Sequence, residues 1–376
     1  MADFKSILMP EEGFGQISVE RSVAELRAGR PVLINTSDGA RAVVMNVEAL
    51  AADSAARLEA TAAGRARLLL PAPRLRRLGL ERNEAGAIAL PHVDLARINA
   101  LSFDVEARID APVAALSELG HAALELARIA LILPALLLIE IEPGEAANAR
   151  LVGTDAAAIL DYRAARVRDL HILSRAPVPL EGAPDTEFVI FRGGEGLRDQ
   201  IAVIVGHPDP TNIVTVRLHS ACLTGDLFGS LKCDCGDQLR HTARYMAEHE
   251  GGVLLYLDQE GRGNGLANKI HAYQLQAQGF DTYDADEVLG FDHDQRRYDF
   301  AAAMLKQLGI ARVRLMTNNP AKIVALEAAG LEVVSAQRIL GRKTDQNVRY
   351  LAAKRDRAGH LIEIESPPAH SSSAKE

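Results

Sequence analysis

The stretch HSACLTGDLFGSLKCDCGDQL, His219 to Leu239, contains every cysteine of the chain: Cys222, Cys233 and Cys235. No cysteine elsewhere can pair with them, so the cluster reads as three soft thiolate ligands, the donor chemistry that suits zinc. Three readings stand side by side. A fourth position left to water makes the site hydrolytic, because a bound metal lowers the pKa of its water towards neutrality. His219 as fourth ligand makes it a closed structural site. As small apolar side chains, the three are simply buried, a common fate of free cysteine. The stretch lies between a strand candidate, Ile213 to Leu218, and a helical segment, Asp237 to Glu248.

Outward from there the pattern continues. Short apolar runs at Glu187 to Phe191, Ile201 to Val205, Val253 to Leu257 and Val313 to Met316 read as strands. Helical periodicity marks Ala267 to Gln278, Tyr298 to Leu308 and Ala321 to Ala329. The mixture argues for an α/β sheet layered with helices. The first half is richer in alanine, leucine and arginine, with helical segments at Ser22 to Ala28 and Ala122 to Ala130. Its strand candidates are Pro31 to Asn35, Arg41 to Asn46 and Leu136 to Ile141. Between the halves, Ala176 to Asp185 carries Pro177, Pro179, Pro184 and Gly182, which break both helix and strand. The expectation is an α/β (α+β) protein of two domains, 1–175 and 176–365, each a mixed sheet with helices. The tail 366–376, SPPAHSSSAKE, has the composition of disorder.

A chain of 376 residues exceeds one ordinary core. With 42 basic against 50 acidic residues and no tryptophan, an extended nucleic-acid surface is not indicated. The start lacks the charged and apolar regions of a signal peptide, and unpaired cysteines suit a reducing compartment, so a cytoplasmic address is expected. The most apolar run, Ile129 to Ile139 with Pro134 inside it, falls well short of the roughly 20 residues a bilayer span needs. It reads as a buried helix or strand.

Several further segments offer polar chemistry. Gln259-Glu260-Gly261-Arg262-Gly263-Asn264-Gly265 follows a strand candidate and precedes a helix, as a phosphate-cradling turn does, and Arg262 adds a charge. Such loops are also plain turns. Thr317-Asn318-Asn319-Pro320, with Lys322 beyond, ends another strand candidate, where ligands collect in α/β folds and where an Asn-Pro turn would equally start a helix. Asp294-Gln295-Arg296-Arg297-Tyr298 reads by itself as a solvated helix start.

Together these segments resemble one family. Arg217-Leu218-His219-Ser220 leading into the cysteines, then QEGRGNGLANK, HAYQLQAQGFDT, LGFDHDQRRY and LMTNNPAK, resemble GTP cyclohydrolase II over roughly Pro179 to Ile362. The resemblance implies one Zn²⁺ per chain on Cys222, Cys233 and Cys235. It implies GTP contacts at Arg217, Leu218, His219, Ser220, Gln238, Glu260, Gly261, Arg262, Thr282, Thr317 and Lys322. Tyr273 matches the active-site tyrosine, Asp294 the proton acceptor and Arg296 the nucleophile at phosphorus. Mg²⁺ for the pyrophosphate part and a homodimer are also implied. The expected reaction converts GTP to a diaminopyrimidine ribotide with release of formate and pyrophosphate, at the entry to riboflavin synthesis.

Two positions depart from the family pattern. Ala221 stands where glutamate is usual before the first zinc ligand, and Asp258 where a basic residue often sits. Ala221 keeps two rivals in view: a related zinc hydrolase of pyrimidine catabolism, and a nucleotide-binding regulator with structural zinc.

The first half resembles a worn 3,4-dihydroxy-2-butanone 4-phosphate synthase, through VAELRAGRPVL and Gly120-His121 followed by LELARIALILPALLLIEIEPGEAANARL. That enzyme needs an acidic cluster where this chain has Thr36-Ser37-Asp38-Gly39-Ala40. It also needs a threonine and a glutamate where Ala122 and Ala123 stand, and alanine offers no oxygen to a hard cation. A non-catalytic half is expected, dispensable for zinc chemistry but not for assembly.

Overall fold

The computed structural model describes residues 14–339 apart from 63, 143–144, 146–149, 195–197 and 293. The tail 366–376, the end of the expected second domain beyond 339, and part of the segment GEAANAR lie outside the described residues.

Two seven-stranded mixed sheets follow one another along the chain. The first is built from β1 Val32–Asn35, β2 Arg41–Asn46, β3 Ala66–Leu70, β4 Gly86–Ala89, β5 Val113–Ala115, β6 Leu136–Glu140 and β7 Val152–Asp155, in the order β5-β4-β3-β6-β2-β1-β7. Only β1 and β7 pair in parallel there. The second comprises β8 His171–Pro177, β9 Thr186–Arg192, β10 Gln200–Val205, β11 Val214–Ser220, β12 Gly252–Leu257, β13 Arg312–Met316 and β14 Glu332–Gln337. Its order is β14-β13-β11-β12-β10-β9-β8, with β14, β13, β11 and β12 parallel.

The apolar run at Ile129–Ile139 is neither one helix nor one strand. It ends the Glu118–Ala130 helix, turns at Leu131 in the left-handed region (φ 56°, ψ 36°), and enters β6. β6 lies between two cores: Leu136 and Leu138 face one, Leu137 and Ile139 the other. A strand covered on both faces loses the polar alternation that would mark it, which is why its sequence reads as a continuous apolar block.

The second sheet begins earlier than the proline-rich segment suggested. β8 starts at His171 and runs through Pro177, pairing with β9. Proline is tolerated there because β8 is an edge strand and Pro177 is its last residue. β11 and β12 sit in the middle, with Val216, Leu218 and Leu255 packed on one face while Leu254 and Met246 fill the other. Three parallel strands, β13, β11 and β12, are therefore neighbours, and their carboxyl ends open on the same side.

Candidate active site

A cleft lies at those carboxyl ends. The chain leaves β11 through Ala221 and Cys222, leaves β12 into Gln259 and Glu260, and leaves β13 into Asn318 and Asn319, all of which line it. Ligand sites of open α/β sheets form at this position because loops diverge there over the strand ends.

The three cysteine sulfurs lie within 4.8 Å of one another, Cys222 Sγ and Cys233 Sγ being 3.6 Å apart. Gly225 makes room for them. A Cβ at that position would stand 2.6 Å from Cys233 Sγ and 3.0 Å from Cys222 Sγ, so any other residue would fill the space between the sulfurs. No histidine or carboxylate atom joins the group among the described residues. His219 is turned away to Asp226, its Nε2 lying 3.1 Å from both carboxylate oxygens, so it does not close the site as a fourth ligand. The same carboxylate accepts from the Cys222 backbone N–H and from the Tyr256 hydroxyl, which fixes the first cysteine in place. Three convergent thiols around a glycine-made space fit a soft tetrahedral ion. Among the thiols themselves, hydrogen bonding from Cys233 and Cys235 holds Cys222 far below the ordinary value, with the Lys269 ammonium adding to it.

Lys269 and Tyr273 project from the Leu266–Ala277 helix, which the glycine-rich turn introduces. Burial pushes the Tyr273 hydroxyl up to about 12, so it stays protonated and can donate. The Lys232 ammonium sits 4.6 Å from the centre of its ring. Burial works against the Lys269 charge, but Glu260 and the Cys222 thiolate more than offset it and its pKa is raised. In the turn itself Gly261 and Arg262 both take left-handed conformations (φ 61°), and Arg262 forms an ion pair with the buried Asp286.

On the β11 side, Arg217 donates to the Met316 carbonyl at 2.9 Å and to Gln238 Oε1 at 2.5 Å, and Gln238 passes the link to Asp234. Burial lowers the Arg217 guanidinium to about 10. Arg217 Nε and His219 Nδ1 are buried and have no hydrogen-bond partner in the protein. Groups of this kind are costly unless a polar ligand meets them. Lys322 Nζ lies at the same end, donating to the Leu218 carbonyl at 2.6 Å. Arg296 lines the cleft through a two-pronged contact with Asp294, its Nε 2.8 Å from Oδ1. Burial acts against the Asp294 charge, yet Arg296 wins and keeps that carboxyl ionised.

Most of the residues singled out in the sequence thus meet here: the three cysteines, Arg217, His219, Ser220, Gln238, Glu260, Gly261, Arg262, Tyr273, Thr282, Arg296 and Lys322. Three do not line the cleft. Leu218 points into the core with no exposed surface, because strand residues alternate and its neighbours Arg217 and His219 take the other face. Thr317 is buried, its hydroxyl bonded to the Asn319 backbone. Asp294 stands behind Arg296. The run Asp294 to Tyr298 is not a solvated helix start, since it precedes the Asp299–Gln307 helix and aims Arg296 inward.

Lys269, Gln276, Asp286 and Asn268 also line the cleft, though no motif in the sequence singles them out. A signal existed for the helix: Lys269, Tyr273 and Gln276 recur at four- and three-residue spacing, one face of a helix leaving a glycine-rich turn. The two departures differ in place. Ala221 lines the cleft, whereas Asp258 pairs with Arg198 at 3.6 Å away from it.

A cluster of three cysteine thiols and a set of largely buried cations sharing one cleft at the ends of parallel strands define an α/β enzyme. The family profile of GTP cyclohydrolase II matches residues 171–338. A protein of Xylella fastidiosa named GTP cyclohydrolase-2 is 44% identical over 93% of this chain and 88% of its own length. One of the same name from Azospirillum brasilense is 40% identical over 94% of this chain and 96% of its own. The riboflavin biosynthesis protein RibBA of Thermotoga maritima is 55% identical over 150 residues, 40% of this chain and 38% of its own. A solved two-domain 3,4-dihydroxy-2-butanone 4-phosphate synthase from A. baumannii aligns over 86% of this chain and 99% of its own, at 18% identity and a TM-score of 0.33. The chain belongs to the GTP cyclohydrolase II family.

Proposed function

We propose that this chain hydrolyses GTP to 2,5-diamino-6-(ribosylamino)pyrimidin-4-one 5′-phosphate, formate and pyrophosphate, the first step of riboflavin biosynthesis. The observation that carries it is the convergence of three cysteine thiols with Arg217, Arg262, Arg296 and Lys322 in one cleft. Cys222, Cys233 and Cys235 would hold one Zn²⁺, which when bound supplies a water acidic enough to attack the purine ring at neutral pH. Tyr273, protonated, donates a hydrogen bond to the ring nitrogen that opens or orients the attacking water. Gln238, fixed between Arg217 and Asp234, presents an amide suited to the guanine edge. Arg262, Lys322 and Arg296 stabilise charge on the triphosphate, together with Mg²⁺ carried by it. Asp294, which accepts from the Arg296 fork, would take the proton as the guanidinium attacks phosphorus.

In this reading the chain has two domains, divided just before β8 at His171, since the expected division at 175/176 would cut that strand. Its first part is without synthase chemistry, because Ala122 and Ala123 lie inside the core and Thr36 to Ala40 form a turn with one carboxylate. No helix among the described residues is long and apolar enough to cross a membrane, and a cytoplasmic site of action rests on the unpaired cysteines, which suit a reducing compartment. A homodimer is supported by Leu227 and Phe228, 70% and 74% exposed between the first two ligand cysteines.

Purified protein incubated with GTP, Zn²⁺ and Mg²⁺ should release formate and the pyrimidine product. GTP bound but unchanged would favour the regulator. A second reading rests on Ala221, which puts a methyl group in the cleft where the family usually has a glutamate side chain: a zinc hydrolase of pyrimidine catabolism would act on a pyrimidine instead of GTP.

A further inference from the structure

Two of the elements that line the cleft rest on the first half of the chain. One is the Leu266–Ala277 helix carrying Lys269 and Tyr273, the other the Thr282–Val288 helix carrying Thr282 and Asp286. At the first, Asn268 Nδ2 donates to the Leu131 carbonyl at 3.1 Å and to the Asn264 carbonyl at 2.8 Å, so one buried amide ties the glycine-rich turn to the first half. Gly265, at φ 89°, lies against the same residue, since a Cβ there would come within 3.1 Å of Leu131 Cβ. Leu131 is itself left-handed at φ 56°, a conformation glycine adopts without cost and leucine does not. A leucine kept where glycine is easier argues that its side chain has a task.

At the second helix, Arg74 of the first half is 1% exposed and donates to the Val288 carbonyl at 3.1 Å. Its other hydrogens go to the carbonyls of Leu101, Ala100 and Asp104, at the end of the Leu95–Phe103 helix. One buried guanidinium thereby caps the carboxyl ends of two helices, one from each half, where a cation is favoured by the helix dipole. Arg76 pairs with Glu287 at 3.2 Å beside it. The cysteines follow β11 and open the Cys235–Glu248 helix, both packed in the second sheet.

We propose that the first half is a brace for the active site, with Leu131 and Arg74 as positioning residues that set the Lys269–Tyr273 helix and the Thr282–Asp286 helix over the cysteine floor. The expectation of a first half dispensable for the chemistry gives way to this arrangement. The catalytic part of the inference rests on the GTP-hydrolysing reading, whereas the brace itself does not.

The test uses the full chain with Leu131→Gly, which keeps the left-handed turn and the carbonyl but removes the side chain. Hydrogen–deuterium exchange should rise in 264–277 while β11 keeps its protection, and zinc per chain should stay at the wild-type level. Formate release should fall about tenfold or more, since small misplacements of reacting groups are costly. Leu131→Met should restore both. A second variant, Arg74→Lys, keeps the charge but loses the fork and should loosen 282–288 in the same way. Unchanged exchange in these helices, or wild-type kcat and KM in Leu131→Gly, would overturn the brace. If the wild-type chain releases no formate, the activity reading fails and the exchange result alone decides the brace.

Discussion

Lys269 Nζ lies 3.1 Å from Cys222 Sγ and 2.7 Å from Glu260 Oε1, joining a thiol of the cysteine trio to a buried carboxylate through one ammonium. Glu260 in turn accepts from the Leu223 backbone N–H beside that cysteine. The lysine therefore balances charge on both sides of the cleft floor.

The Lys269 and Glu260 side chains are each 10% exposed, so removing Lys269 leaves the Glu260 carboxylate buried without its ion-pair partner. Lys269→Met should destabilise the protein by about 3 kcal/mol in urea unfolding. Adding Glu260→Gln should recover part of that loss, a coupling that a double-mutant cycle reads directly. Simply additive effects would show that the two do not act as a pair.

Replacing Cys233 by serine would exchange a soft ligand of the proposed zinc for a poor one. Metal analysis of the purified variant should show zinc lost, and formate release should be abolished. Full activity in a zinc-free preparation would sink the hydrolytic role of the cluster.

Tyr273 meets the cleft from the Leu266–Ala277 helix, and the proposed role rests on its hydroxyl alone. Tyr273→Phe should stop formate release while leaving GTP affinity within about a few-fold, because only one hydroxyl is lost. Loss of nucleotide binding would place the residue at the wrong end of the substrate.

Burial pushes the Asp286 carboxyl up from 3.8 to about 7, although its Arg262 partner pulls the other way. A carboxyl whose pKa is raised by folding binds more protons folded than unfolded. Its contribution to stability is fully present in acid and is lost as pH rises from 3.8 through about 7. The melting temperature of the wild type, relative to Asp286→Asn, should fall across that window and then level. A difference that rises with pH would mean the ion pair outweighs burial.

What local sequence determines is visible in particular elements. Arg41–Asn46 is a strand as read, and the helices at Cys235–Glu248 and Leu266–Ala277 begin and end within two residues of their periodic segments. The clustering of the three cysteines is a local fact too, because side chains this close in sequence need little tertiary help to converge. β3, β4, β5, β7, β8 and β14 lie outside the strand candidates. β3 reads as Ala-Arg-Leu-Leu-Leu and β4 as Gly-Ala-Ile-Ala, runs whose strand character comes from pairing with one another and with β6.

The sequence by itself determined the thiolate cluster, the mixed α/β character and the list of polar segments, since each is written within a few consecutive residues. Only the tertiary structure decided that Leu218 faces the core while Arg217 and His219 face the cleft, and that Asp226 takes His219 away from the cysteines. It alone brings Leu131 to Asn268 and Arg74 to Val288, across 137 and 214 residues of chain. Such contacts leave no periodicity to read, because a left-handed leucine or a buried arginine is stabilised by partners that only the folded chain supplies.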